Sequence, residues 1–419
     1  GDIGTSPLYV MKALVGEGKV IDSLVVLGGV SLVFWTLTIQ TTIKYITLVL
    51  RADNNGEGGI FSLYSLVRRR RRWLLYPALL GGAAVLAEGM ITPPITVSSA
   101  IEGLSLKFPD IPTIGIVIAI ISGLFFIQRF GTTTVGRSFG PVMLVWFSML
   151  GILGISQIIY MPSIFKVINP YYGIQLLIQS PNMLIIMGAV FLCTTGAEAL
   201  YADLGHCGRP NIRVSWIFVK TCLLLNYFGQ AVWLLQHEGQ KLDDNPFYGI
   251  MPHWFLWPGI IIATMAAVIA SQSMISGSFT LASEAIRLGF LPKMTVQFPS
   301  NLKGQIYIPA VNTFLWLGCV CVVLFFQQSS KMEAAYGLSV VSTMLCSTIL
   351  LANWMVLHRV QPWRIWIFLI FYLIWEGGFF VANSLKFAEG GYVTVIMATL
   401  LFGMMLLWLT AKRIRQSYT

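Results

Sequence analysis

The sequence predicts an all-α polytopic membrane protein, and three observations carry that prediction. Of 419 residues, 56% are hydrophobic and 11% charged, with a mean hydropathy of +0.76, far from the balance of a water-soluble globular chain. Apolar runs recur along the whole length, and about 20 such residues suffice to cross a bilayer as a helix. Lysine and arginine between those runs alternate in density from loop to loop, as they do when successive loops face opposite sides of a membrane.

In chain order, the first element is GDIGTSPLY, Gly1 to Tyr9, read as part of a first span whose N-terminal portion is expected upstream of Gly1. Apolar runs bounded by polar breaks then predict spans at 23–50, 73–101, 112–128, 139–159, 183–203, 212–236, 256–282, 308–327, 334–357, 364–385 and 391–411. With the opening segment this makes about twelve crossings. One set of loops holds Arg51, Arg68 to Arg72, Arg129, Arg137, Arg209, Arg213, Arg287, Lys293, Lys303, Arg359, Arg364, Lys412, Arg413 and Arg415. The other holds only Lys12, Lys19, Lys107, Lys166, Lys241, Lys331 and Lys386. The rule that basic loops stay inside places the first set and the C-terminus in the cytoplasm of a multi-pass cell-membrane protein. Most of the net charge of +10 is then cytoplasmic anchoring against lipid headgroups, and a nucleic-acid role has no support.

Several motifs that suggest other chemistry dissolve on inspection. The run RRRRR at Arg68 to Arg72 fits a juxtamembrane basic cluster better than a nucleotide site. RADNNGEGG, Arg51 to Gly59, lacks the order GxxxxGK[ST] and reads as a turn-rich connector. TTTVG at Thr132 to Gly136 is followed by Arg137, not by the tyrosine and glycine of a potassium-channel filter. Six cysteines and four histidines show no ligand spacing, so the cysteines are expected to be small core residues. No HExxH, GxSxG or Cys-His constellation is present, so the chain is not expected to be an enzyme.

Ionisable residues inside spans are costly and form the functional shortlist. They are Asp2, Glu88, Glu198 and Glu376, with Lys44, Asp203 and Lys220 nearer span ends, where their charges are expected to snorkel to the interface. Glu88 lies in GGAAVLAEGMITPPITVSSA, where Thr92 shares its face and Pro93 and Pro94 are expected to disturb the hydrogen-bond ladder. Glu198 lies in CTTGAEALYAD, with Thr195 on its face and Gly196 interrupting an apolar run. A packing role for either glutamate is the competing reading.

Gly4, Leu8 and Tyr9 of the opening match Gly196, Leu200 and Tyr201 as a G-x-x-x-L-Y pattern at a polar break. The two copies lie five crossings apart and therefore run in opposite directions, the signature of an inverted repeat whose paired broken helices hold a substrate at mid-membrane. Residues 1–159 would form one repeat and 183–357 its partner, with 364–411 as two additional spans. Gly4, Pro7 and Gly196 would be hinges, with freed carbonyls facing a cavity. Carboxylates without nearby arginine suit a cation and disfavour phosphate, nucleotide or dicarboxylate.

GDIGTSPLY, RADNNGEGGIFSLYSL, EGMITPPITVSSAIEGL, TTGAEALYADLGHCG, LNYFGQ, SQSMISGSFTLASEAIRLG, GQIYIPAVN and AAYGLSVVSTM resemble successive signatures of the bacterial Kup family of potassium uptake permeases. The resemblance runs through the tenth span, and the last two match mainly in hydropathy. It implies a LeuT-like five-plus-five fold of the amino acid, polyamine and organocation superfamily, with K+/H+ symport by alternating access. It also implies a cytoplasmic C-terminal domain, which is not found between the last span and Thr419, so a homodimer stays an open expectation. Control by cyclic di-AMP is a further implication of the family alone. Position by position, the likeness assigns K+ binding to Asp2, Tyr9, Thr92, Thr195, Glu198 and Tyr336. Asp2 and Glu88 are the candidates for proton coupling, with K+ and H+ as transported species and no cofactor. A polyamine or amino acid permease of the same fold is the alternative, though Asp2 would repel a substrate carboxylate; a channel and a membrane sensor without a transport cycle are further alternatives.

Overall fold

The computed structural model describes residues 2–105, 108, 110–130, 133–298 and 306–417. Gly1, Lys107, Thr132 and Lys303, named above, lie outside them. The chain is helical almost throughout, and eleven helices among the described residues are long and apolar enough to cross a membrane. Two short helices, α1 (Asp2–Thr5) and α2 (Val10–Val15), come first. They are followed by α3 (Ser23–Arg51), the short α4 (Ile60–Val67), α5 (Arg72–Ser105), α6 (Thr113–Phe130) and α7 (Thr133–Ile158). After the amphipathic α8 (Pro170–Gln179) come α9 (Met183–Ala202), α10 (Arg209–Gln236), the four-residue α11 (Pro246–Gly249) and α12 (Leu256–Leu288). The chain ends with α13 (Pro309–Phe326), α14 (Ser329–Leu357), α15 (Pro362–Ser384) and α16 (Phe387–Ser417). These eleven long helices fall on the eleven apolar runs after the opening.

Burial separates an inner bundle from a lipid-facing ring. The apolar window of α5 is 83% buried and that of α9 72%, against 22% for α6 and α16. The pillar α5 is flanked along its length by α12 and α14. Small residues permit this closeness: Gly81 and Gly82 lie against the side chains of Ile60 and Phe61. The prolines of α5 do not interrupt it, and the helix runs unbroken from Leu75 to Ser105. A neighbouring helix serves one of the carbonyls the prolines leave unbonded, and the helix's own hydroxyls add further bonds. The Cys319 thiol lies 3.8 Å from the Gly89 oxygen, which Pro93 cannot bond, and Thr96 Oγ1 donates to the Thr92 oxygen at 2.6 Å.

Three departures from regular helix shape the interior. The opening segment breaks between α1 and α2 at a tight turn, Ser6–Leu8, with Pro7 inside it and Tyr9 at φ −133°. Helix α9 breaks where Thr195 turns extended (ψ 143°) and Gly196 enters the left-handed region at φ 88°. The middle of α3, Leu37–Leu48, is wound as a π-helix, whose wide turns place Thr42 and Thr47 hydroxyls on the carbonyls of Leu37 and Thr42, five residues back.

Three sequence expectations are corrected here. Lys44 does not snorkel, since it is fully buried and ion-paired with Glu376 of α15. The carbonyls freed by the opening break do not face an open cavity, because a buried carbonyl left dry is expensive: Trp146 Nε1 donates to the Gly4 oxygen, Gln230 Nε2 to Pro7 and Asn245 Nδ2 to Leu8, at 3.0, 3.0 and 2.7 Å. Of the six cysteines, Cys207 and Cys321 are exposed rather than core residues.

Candidate cation site

The two breaks meet. The hydroxyls of Ser6 and Tyr9 from the opening turn and of Thr195 from the α9 break lie within 3.4 Å of one another, all three side chains buried. Gly196 brings α9 against α1: a β-carbon there would stand 2.7 Å from the Ile3 nitrogen and 2.9 Å from Asp2 Oδ2. Absence of a side chain and positive φ thus serve one purpose, the close approach of the α9 backbone to the Asp2 carboxylate. Gly4 lies within α1, ahead of the break, and makes room for the Phe147 ring.

Asp2 and Thr92 are joined through α14. The Tyr336 hydroxyl lies 3.2 Å from Asp2 Oδ2, to which it donates, and accepts from Thr92 Oγ1 at 3.2 Å. Glu88, one turn before Thr92 on α5, is fully buried, and neither of its carboxylate oxygens has a hydrogen-bond partner among the described residues. Among the described residues no lysine or arginine forms an ion pair with Asp2 or Glu88. Glu198 and Thr195 share no partner. Glu198 accepts hydrogen bonds from Tyr45, in the π-wound part of α3, and from Ser347 of α14, the latter at 2.7 Å.

Helix packing explains this distribution. Residues three or four apart share a helix face, so Glu88 and Thr92 point the same way; at Thr195 and Glu198 the intervening break rotates the two side chains onto different neighbours. Sequence reasoning missed Ser6, Tyr45 and Ser347. Tyr45 carries only a weak signal, its place beside the buried Lys44, and the serines carry none.

A cavity of 160 Å³ adjoins Asp2 and Gly196 and runs past Asp203 and Ser215 to Trp216, on the side where Arg209 and Arg213 lie. The opposite side is packed. Phe247 of α11 is fully buried beside Trp146, the Tyr248 hydroxyl donates to the Ala100 oxygen at 2.8 Å, and Val20 and Lys241 form a short antiparallel bridge.

Comparison with known proteins bears on this arrangement. Residues 1–413 match the family model described as the K+ potassium transporter integral membrane domain. A protein of Flavobacterium johnsoniae named "Probable potassium transport system protein Kup" is 55% identical over 429 residues, covering 100% of this chain and 65% of the relative. Proteins of the same name from Cytophaga hutchinsonii and Clostridium perfringens are 57% and 50% identical, again across 100% of this chain. The chain spans about two thirds of the length of these curated relatives, 65% and 66%. With a family model matching nearly its whole length, the chain belongs to the Kup family of K+ transporter membrane domains.

Proposed function

We propose that this chain is the membrane domain of a secondary active potassium importer, working by alternating access as a K+/H+ symporter. The observation that carries the proposal is the pair Asp2 and Glu88, buried carboxylates, one on the broken opening segment and one on α5, without a cationic side chain bonded to either among the described residues. A buried charge needs a partner, and here the partner comes from outside the fold. The names of the relatives point to K+ as that partner, and the donor set agrees: Asp2 with the hydroxyls of Thr92, Tyr336, Ser6, Tyr9 and Thr195 offers hard oxygens of the kind that replace a potassium hydration shell. Glu88, which no donor among the described residues reaches, is the group assigned the proton, and Glu198, held by Tyr45 and Ser347, is assigned to the K+ site directly.

The five-plus-five inverted repeat supports alternating access. Residues 1–159 and 183–357 form its halves, and their broken first helices meet in the hydroxyl triad. The cavity beside Asp2 then leads to the cytoplasm, and the seal built by α11 closes the outside. The C-terminus is assigned to the cytoplasm by the arginine-rich loops. One positive charge moving inward across about 100 mV gains roughly 2.3 kcal/mol, nearly fiftyfold in concentration, to which a co-transported proton adds its own drive.

Rubidium uptake into proteoliposomes, with and without an inward proton gradient, tests the reading. Symport gives uptake that accumulates against its gradient and collapses with a protonophore. Equilibrating flux indifferent to protons would make the protein a channel. Blockade by polyamines would make it a polyamine permease, and binding without flux a sensor.

A further inference from the structure

We propose that the groove between α3, α14 and α15 binds an anionic phospholipid from the leaflet on the arginine-rich side. The groove has a volume of 540 Å³, far larger than the cavity at Asp2, and neither the candidate cation site nor the transport cycle uses it. Its walls are apolar, built from Ile39, Ile43, Met355, Ile367 and Phe371, and Ile43, Ile367 and Phe371 are 45%, 59% and 44% exposed. Such walls fit acyl chains. Its rim is basic: Arg51 at the end of α3 and Arg364 at the start of α15 both line it, and neither forms an ion pair with an acidic residue among the described residues.

Two features distinguish this rim from ordinary interfacial arginines. The Arg364 guanidinium lies 5.3 Å from the Trp363 ring, and Trp354 also lines the groove, so indoles stand where a headgroup meets the acyl region. Arg70 donates to the Asn353 oxygen at 3.3 Å, fixing a third cation beside the same end of α14. An anionic headgroup complements these charges, whereas a zwitterionic one brings its own cation. The occupant also has a consequence inside the protein. Tyr372 lines the groove, its hydroxyl donates to the Ile39 oxygen at 3.0 Å, and its ring lies 5.8 Å from the Lys44 ammonium. A lipid seated there covers the wall behind the buried Lys44–Glu376 pair.

The test is native mass spectrometry of the purified full-length protein with phosphatidylglycerol against phosphatidylcholine of equal chain length. Wild type should retain phosphatidylglycerol preferentially by about thirtyfold, the scale expected for two surface arginines facing anionic lipid. Arg51→Gln with Arg364→Gln should remove most of the preference, leaving only what Arg70 supplies, while Arg129→Gln, on a different helix end, should not. Ile367→Trp, which fills the groove without altering charge, should lower retention of both lipids. Equal retention of the two lipids by wild type, an unchanged preference in the double variant, or displacement of the bound lipid by glycerol phosphate alone would each overturn the proposal.

Discussion

Two sets of buried acids occupy the interior of this bundle, and they are treated in opposite ways. Glu376 is surrounded: Lys44 pairs with it, Gln40 Nε2 donates at 2.6 Å and Thr348 Oγ1 at 2.7 Å, while the Lys44 ammonium also reaches the Met344 carbonyl at 2.9 Å. Among the described residues Glu88 has none of these, and the Asp2 carboxylate has only the Tyr336 hydroxyl from a neighbouring helix. A buried charge is tolerated when paired and hydrogen-bonded, so the first set is complete within the fold. The second set is not completed by bonds among the described residues, and of its two members Asp2 alone lines the cavity. One cluster fastens α3, α14 and α15 together; the other, on the proposed reading, holds a place for a cation.

The largest expected effect breaks the complete cluster. Lys44→Met removes the cation paired with Glu376 and should lower stability by about 3–5 kcal/mol, the cost of leaving half a buried pair. Adding Glu376→Gln should restore much of that loss, since both charges are then gone. Glu88→Gln should do the reverse, leaving thermal unfolding in detergent within about 1 kcal/mol of wild type, because it removes no bond. It should nevertheless abolish the dependence of rubidium uptake on the proton gradient. If Glu88→Gln unfolded as readily as Lys44→Met, the contrast between the two sets would be wrong.

Asp2→Asn comes next. It keeps the shape and an acceptor for the Tyr336 hydroxyl but removes the charge, so rubidium binding should weaken by roughly tenfold to a hundredfold, the range for one charge-assisted contact. Potassium should raise the melting temperature of the wild type, since a ligand that binds only the folded state stabilises it, and should barely move that of the variant. A variant with wild-type potassium stabilisation would remove Asp2 from the ion site. Gly196→Ala tests the same contact from the other side: positive φ costs a β-carbon about 1–2 kcal/mol, and the new methyl would press on the Asp2 carboxylate, so uptake should fall with the charge untouched.

How much of this was legible in the sequence follows from what each feature depends on. The eleven long helices were readable because hydropathy is a property of each segment alone. The two breaks were half readable: Pro7 and Gly196 mark where a helix must yield, yet nothing local says that Trp146, Gln230 and Asn245 take up the freed carbonyls. Lys44 was misread for a related reason. Its position near a span end suggested an interfacial charge, and only the tertiary fold brings Glu376, 332 residues away, to its ammonium. The π-winding that turns Gln40, Lys44 and Tyr45 inward leaves no trace in an apolar run, since hydropathy counts residues per span and not per turn. Helical spacing paired Glu88 with Thr92 on one face, but it paired Thr195 with Glu198 across a break that sends them apart.

The smallest expected effect lies at Glu198, a buried acid that belongs to neither set. Among the described residues Glu198 has two hydroxyl donors, Tyr45 and Ser347, and no cation bonded to it, so it stands between the neutralised Glu376 and the unsupported Glu88. Ser347 divides its single hydrogen between the Glu198 carboxylate at 2.7 Å and the Thr343 carbonyl at 3.0 Å, which makes it the weaker of the two donors. Ser347→Ala should therefore cost about 1 kcal/mol, raising half-saturating rubidium about fivefold with little change in maximal uptake. Thr348→Ala, one residue on but directed at Glu376, should alter stability and leave half-saturation unchanged. Measured side by side, the two variants decide whether Glu198 belongs with the acids that hold the cation or with the acid that holds the helices. A Ser347→Ala variant that lost stability with half-saturation unchanged would place it with the latter.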